Sequence, residues 1–269
     1  MKISFIGGGN MARALISGMI RQGFDAAAIS VVDPDADKRE SLQQDFGVTA
    51  TAQLPSVSDA DVIVLAVKPQ QLRDLSIFLG SLLQHQLVIS IAAGIRCNDL
   101  ARWLGGYAAI VRVMPNTPAQ IQRGLSALFA MPAVSATQRA QAEQVLQAVG
   151  KIMWLDAEAK MDAVTAISGS GPAYVFYFME ALQQAAVELG FTEDEARMLT
   201  LQTFTGASAL ADASAESPAV LRQQVTSKGG TTEQALLSME DAAVKAAIVR
   251  AAHAAAERSK TLGDQLGQD

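Results

Sequence analysis

The chain has 269 residues with a formal net charge of -6, and half of them are hydrophobic although only 5% are aromatic. That length supports one large domain or two modest ones, and the acidic balance argues against nucleic acid as a partner, which would show as a basic face. No apolar run approaches the roughly 20 residues of a membrane span, and Cys97, the one cysteine, excludes an internal disulfide and a cysteine-based metal cluster.

In chain order, Lys2–Ile6 reads as a strand that begins at once, with no signal-peptide pattern before it, so a cytoplasmic protein is expected. A helix follows from about Asn10 to Gln22, a strand at Ile29–Val32, a helix at Asp35–Phe46 and a short strand at Val48–Thr51. Asp61–Val67 is nearly all apolar, as a parallel strand covered on both faces should be. Helix and strand then alternate through Gln70–Leu83, Leu87–Ile91, Asn98–Leu104, Ala109–Val113, Leu125–Ala130, Ala136–Val149 and Lys151–Leu155. Alternation of this kind predicts an α/β fold, a Rossmann-type doubly wound parallel sheet.

From about Glu158 the pattern changes to long helices. Ala159–Ile167 runs into Ser168-Gly169-Ser170-Gly171-Pro172, which should interrupt it. Ala173–Leu189 is apolar around much of its circumference, and Thr192-Glu193-Asp194-Glu195 is a capping box for a helix reaching about Asp212. Ser217-Pro218 opens another helix, and the last, about Asp241 to Leu262, carries Val244, Ala247, Ile248, Ala251 and Ala255 on one stripe. Two domains are expected, 1–156 binding a dinucleotide and 157–269 all-helical. Helices this apolar need cover, and an intertwined homodimer supplies it.

Phe5-Ile6-Gly7-Gly8-Gly9-Asn10-Met11-Ala12 fits strand, glycine turn and helix, with Gly7 for the turn, Gly9 for approach of a pyrophosphate and Ala12 for packing. A glycine fingerprint alone is weak; its place at the head of a βαβ pattern gives it weight. Asp33 ends the second strand, where an acid ordinarily takes the ribose hydroxyls, while Lys38 and Arg39 lie just beyond, placed for a 2′-phosphate or simply solvated on a helix face. NADH and NADPH both remain open. Ala66-Val67-Lys68-Pro69, Ser90-Ile91-Ala92-Ala93-Gly94 and Met114-Pro115-Asn116-Thr117-Pro118 each follow a core strand, at the ends where open α/β sheets bind ligands.

Thr226-Ser227-Lys228-Gly229-Gly230-Thr231-Thr232 packs hydroxyls and glycines just before a helix. Exposed N–H groups and a helix start make a small receptor for a carboxylate or phosphate; the plainer reading is a loop with an N-cap threonine. His85 and His253 belong to no cluster, no metal-ligand spacing appears, and Ser168 and Ser170 lack a partner base. A dinucleotide enzyme needs little acid–base machinery, because the cofactor carries the difficult chemistry.

The N-terminal Phe-Ile-Gly-Gly-Gly-Asn-Met-Ala, the Ala66–Pro69 turn, the Met114–Pro118 loop, Ser168-Gly169-Ser170-Gly171-Pro172-Ala173-Tyr174 and Val225–Thr232 resemble, in order and over nearly the full length, the pyrroline-5-carboxylate reductase family. The resemblance implies NAD(P)H-dependent reduction of 1-pyrroline-5-carboxylate to L-proline, the last step of proline biosynthesis, by homodimers that assemble further. It implies that Gly230, Thr231 and Thr232 hold the substrate carboxylate with Ser227 nearby, and that Glu158 and Gln224 border nicotinamide and substrate. Ala92, Ala93 and Asn116 would hold the nicotinamide, and Thr232 is the expected partner of the ring nitrogen or carboxylate. Lys228 stands where some members carry proline, which puts the loop's stiffness in question. Two other readings stay open. A β-hydroxyacid dehydrogenase shares the two-domain plan and would use Lys160; a nucleotide sensor would bind the dinucleotide without turnover.

Overall fold

The computed structural model describes residues 1–268. The chain divides into two compact units, Met1–Ser170 joined by the C-terminal stretch from Ala255, and Gly171–Ala254.

The first unit is built on one eight-stranded sheet, in the order β3-β2-β1-β4-β5-β6-β7-β8. Its strands are β1 (Ile3–Ile6), β2 (Ile29–Val32), β3 (Thr49–Thr51), β4 (Val62–Leu65), β5 (Leu87–Ser90), β6 (Ile110–Met114), β7 (Gly124–Ala130) and β8 (Gly150–Trp154). Helices α1 (Asn10–Arg21), α2 (Ala36–Phe46), α3 (Pro69–Gly80), α4 (Cys97–Trp103) and α5 (Ala136–Gln147) cover it. Period-two alternation along each strand feeds two separate cores. Ile3, Phe5, Val62 and Val64 join Leu15, Ile16 and Met19 of α1 and Val145 and Leu146 of α5. Ile6, Ile63 and Leu65 join Leu72 and Leu79 of α3 and Leu100 and Trp103 of α4 on the other face. Both faces of the strands are therefore dry, which is why they read as unbroken apolar runs.

The doubly wound sheet matches the expectation, with one addition. Strands β1 to β6 pair in parallel, whereas β7 pairs antiparallel with β6, Met114 opposite Ala127. The link Pro115–Arg123 is too short for a crossover helix, so the chain turns back through a 3₁₀ segment at Thr117–Ile121. Parallel pairing resumes between β7 and β8.

The chain winds from β1 outward to β3 and then returns to β4 beside β1. This reversal makes the β1–β4 border the topological switch point, where the ligand crevice of such sheets opens.

After a short α6 (Met161–Val164), a π-turn spans Thr165–Gly169, closed by Ser170 N–H donating to the Thr165 carbonyl at 2.8 Å. The expected interruption at Ser168–Pro172 thus takes the form of a π-turn, after which α7 (Gly171–Glu188) restarts with Pro172 in its first turn, where a missing N–H costs nothing. The second unit holds α7, α8 (Glu193–Ala213), α9 (Pro218–Gln224), α10 (Thr231–Asp241) and the first turns of α11 (Val244–Leu266). The capping box is present: Thr192 N–H donates to Glu195 at 2.9 Å and Glu195 N–H to Thr192 Oγ1 at 3.3 Å. The last helix starts later and ends later than the apolar stripe indicates. Ala243 takes a left-handed φ of 52°, ending α10 and restarting the chain as α11.

The final turns of α11 belong to the sheet-bearing unit. Ser259 Oγ donates to Asp162 at 2.7 Å, Arg96 pairs with Asp264 at 2.6 Å, and Leu262 and Leu266 lie against the backbone at Gly94.

Candidate active site

The glycine turn leaves β1 at Gly7, whose φ of +101° and 2.7 Å gap between an added Cβ and the Ala66 carbonyl demand glycine. Its N–H donates to the Val32 carbonyl at 2.8 Å, so the turn is tied to the end of β2. A Cβ on Gly9 would meet no atom within 4 Å among the described residues. Gly9 N-caps α1 with no side-chain cap, and the first turn, starting Asn10 and Met11, carries no acid. Uncapped N–H groups with open space before them fit a pyrophosphate. The residues present therefore suit a dinucleotide.

Asp33 follows β2 and is only 5% exposed. Its Oδ2 accepts from Gly8 N–H at 2.7 Å and its Oδ1 from Asp35 N–H at 2.9 Å. The Arg39 guanidinium donates to the carbonyls of Asp33 and Pro34, both at 2.8 Å, and Lys38 lies 3.4 Å from Asp35.

The other crevice residues sit at the carboxyl ends of β4, β5 and β6. Ala66 N–H donates to the Ile6 carbonyl at 2.8 Å, Val67 and Lys68 lead into α3, and Pro69 occupies its first position. Ala92, with Ala93 beside it, follows β5 and donates weakly to Ser90 Oγ at 3.4 Å. Asn116 has its amide fully used: Nδ2 donates to Ser168 Oγ at 3.1 Å and Oδ1 accepts from Leu125 N–H at 2.9 Å. It thereby fixes the π-turn to the β6 loop.

Glu158 accepts at one oxygen, Oε1, from Arg112 and from Cys97 N–H, each at 2.8 Å. Arg112 has only a faint signal in the sequence, a lone charge inside the apolar strand Ile110-Val111-Arg112-Val113. Burial, and then the Glu158 carboxylate, push the Cys97 thiol well above its ordinary range, so the thiol is an inert neutral group. Lys160 is exposed and paired with Asp156 at 2.7 Å.

In the second unit, Gln224 ends α9 and the bend from Thr226 leads to α10. Gly229 takes a φ of +74°, Gly230 N–H donates to the Ser227 carbonyl at 3.0 Å, and Gly230 N-caps α10 with no side-chain cap. Thr231 and Thr232 are exposed in the first helical turn. Glu233 reaches back so that its Oε2 accepts the Gly229 N–H at 2.6 Å. A carboxylate of the chain itself thus occupies one donor of the bend that the sequence marks as a candidate anion receptor. Among the described residues, no group of three or more His, Cys, Asp or Glu is placed to hold a metal, and no helix is long and apolar enough to cross a membrane.

A glycine turn with open approach at the switch point of a doubly wound sheet, joined to an all-helical region, defines a dinucleotide-binding protein of the Rossmann class. Comparison with known proteins agrees. Residues 2–94 match the family described as NADP oxidoreductase, coenzyme F420-dependent, and residues 158–262 match pyrroline-5-carboxylate reductase dimerisation. The pyrroline-5-carboxylate reductase of Pseudomonas aeruginosa is 47% identical over 99% of this chain and 98% of its own. The structure of a Coxiella burnetii pyrroline-5-carboxylate reductase superposes with a TM-score of 0.92 at 42% identity, covering 97% of this chain and 98% of that one. A Plasmodium falciparum pyrroline carboxylate reductase with NADP bound gives 0.88 at 29% identity, with 98% of each chain covered. The chain belongs to the pyrroline-5-carboxylate reductase family.

Proposed function

We propose that this chain's residues divide the labour of imine reduction between an anion-gripping bend and a dinucleotide crevice. The reaction follows from family membership: NAD(P)H-dependent reduction of the C=N bond of 1-pyrroline-5-carboxylate to L-proline. In the proposed assignment, 1–156 binds the dinucleotide and 157–269 binds substrate and dimerises. Gly7, Gly9, Asn10 and Met11 receive the pyrophosphate, and Asp33 meets the adenosine ribose. Ala66, Val67, Lys68 and Pro69 line the path between, while Ala92, Ala93 and Asn116 bound the nicotinamide end.

The bound nicotinamide supplies the hydride. The chain's own task is to hold the imine still, because orientation at near-contact distance is worth several kcal/mol of barrier, roughly 7–11 in favourable cases. Gly230, Thr231 and Thr232 grip the carboxylate, Ser227 and Thr232 hydroxyls offer hydrogen bonds to carboxylate or ring nitrogen, and Gln224 borders the substrate. Glu158 positions the loops near the nicotinamide through Arg112 and Cys97 N–H.

The observation that carries this reading is the start of α10 behind two glycines and two hydroxyls, which has no side-chain cap and has Glu233 as a charged partner of its Gly229 N–H. Lys160 in its surface pair with Asp156 does not favour the hydroxyacid reading. An assay of pyrroline-5-carboxylate with NADH and NADPH tests the assignment: nicotinamide absorbance should fall as proline accumulates. Dinucleotide binding without turnover would support the sensor reading instead.

The helical unit also supports a homodimer that assembles further. Phe176 is 63% exposed, Tyr177 72% and Leu189 81%, far too much apolar surface for a helix pair to leave in water. The enzyme acts as a cytoplasmic assembly on a small molecule, with neither nucleic acid nor membrane as partner.

A further inference from the structure

The two cations beyond β2 leave the choice between NADH and NADPH open in the sequence; their placement narrows it. Asp33 cannot turn aside. It is 5% exposed, and each of its carboxylate oxygens accepts a backbone N–H, from Gly8 at 2.7 Å and from Asp35 at 2.9 Å. Rotating it away to admit a second anion would strand the Gly8 N–H in a buried place and loosen the glycine turn. Its charge is thus fixed at the end of β2, where the adenosine ribose of a bound dinucleotide arrives.

The two cations beyond it also make contacts within their own segment. The Arg39 Nη1 is spent on the carbonyls of Asp33 and Pro34. Lys38 faces Asp35, whose carboxyl is held below its usual range first by the Lys38 backbone N–H and also by the Lys38 ammonium. Asp33, Asp35 and Asp37 set three negative charges against these two positive ones. A 2′-phosphate would add nearly two more negative charges to a segment already net negative, whereas a 2′-hydroxyl donates to a carboxylate oxygen with a spare lone pair.

We propose that Asp33, locked by Gly8 and Asp35, makes this enzyme prefer NADH over NADPH. The inference rests on the dinucleotide lying along Gly7–Met11. Its test is a pair of dissociation constants, measured by calorimetry on the full-length protein without substrate. NADH should bind at least about tenfold more tightly than NADPH, and 5′-AMP should likewise outbind adenosine 2′,5′-bisphosphate. Asp33→Ser should narrow the first ratio by about tenfold, and its melting temperature reports whether it is folded. Equal or tighter binding of NADPH by the native protein overturns the proposal and leaves the dinucleotide reading standing. Failure of both nucleotides to bind overturns the two together. The fragment pair on native protein decides the matter even if Asp33→Ser fails to fold.

Discussion

Arg112 Nη1 and Glu158 Oε1 meet at 2.8 Å, and the guanidinium side chain is only 7% exposed. The same oxygen takes the Cys97 N–H, so one carboxylate joins the middle of β6, the start of α4 and the entry to the helical region. Removing one partner of a buried pair costs more than the pair is worth, because the other charge is left behind. Glu158 is 22% exposed at its side chain, which lets water soften that loss. Glu158→Ala should therefore destabilise by about 2–3 kcal/mol, below the 3–5 of a fully dry pair, and Arg112→Met by a similar amount. The double variant should cost less than the sum of the two, which denaturant titration of all four proteins in a mutant cycle would check. Strict additivity would mean the pair has no energetic coupling.

Much of this architecture lay open in the residues. The run Val62–Leu65 is apolar at every position because two helix layers cover it, and the Thr192–Glu195 box forms as written. The reversal of β7 was harder to see, since Gly124–Ala130 has the same apolar character in either direction; only the brevity of Pro115–Arg123 carries the signal. Asn116 reads as a loop amide with free donors, yet its partner Ser168 lies 52 residues on. No local pattern records that contact, and the same holds for the return of α11 onto Gly94. At the bend, hydroxyls and glycines announce an anion receptor, whereas the Glu233 side chain that fills one of its donors looks like any helix acid until the fold places it.

Thr232 belongs to the proposed grip on the imine and is exposed in the first turn of α10. Thr232→Ala removes a hydroxyl from an exposed first-turn position, so stability should change little. The expected result is an increase of about tenfold in KM for pyrroline-5-carboxylate, the scale of one hydrogen bond to a charged group, with KM for the dinucleotide nearly unchanged. Equal losses for both ligands would remove Thr232 from the substrate site.

Glu233 makes the opposite prediction. It accepts the Gly229 N–H, so under the proposed assignment it would compete with a substrate carboxylate for that donor and repel it. Glu233→Gln should lower KM for the imine by a few-fold while leaving kcat close to native, a ground-state effect. A rise in KM would show instead that Glu233 organises the bend.

The Cys97 thiol sits at 2% exposure with its ionisation pushed upward by burial and by Glu158. In the unfolded chain the thiol ionises near its ordinary value of about 8.5. Below that pH both states keep the proton and this group adds no pH dependence. Above it the unfolded chain sheds a proton that the folded chain retains, so unfolding becomes easier as pH rises, by up to about 1.4 kcal/mol per pH unit. Denaturant midpoints between pH 8 and 10, roughly the window set by that ordinary value, should fall more steeply for the native protein than for Cys97→Ser. Thiol-specific reagents should label Cys97 slowly in the folded protein and rapidly in denaturant.

Phe176 and Tyr177 stand on α7, which has no buried residue in the isolated chain. A helix with mostly apolar residues and no dry face is stable only when another surface completes it. Burying one phenylalanine side chain contributes about 1.5–3 kcal/mol, and in a two-fold dimer each substitution acts twice. Phe176→Glu should therefore shift the sedimentation equilibrium toward monomer by several orders of magnitude in dissociation constant. Activity should fall with dissociation and return at high protein concentration. A native protein that sediments as a monomer at micromolar concentration would contradict the assembly, and it would leave the apolar face of α7 without an explanation.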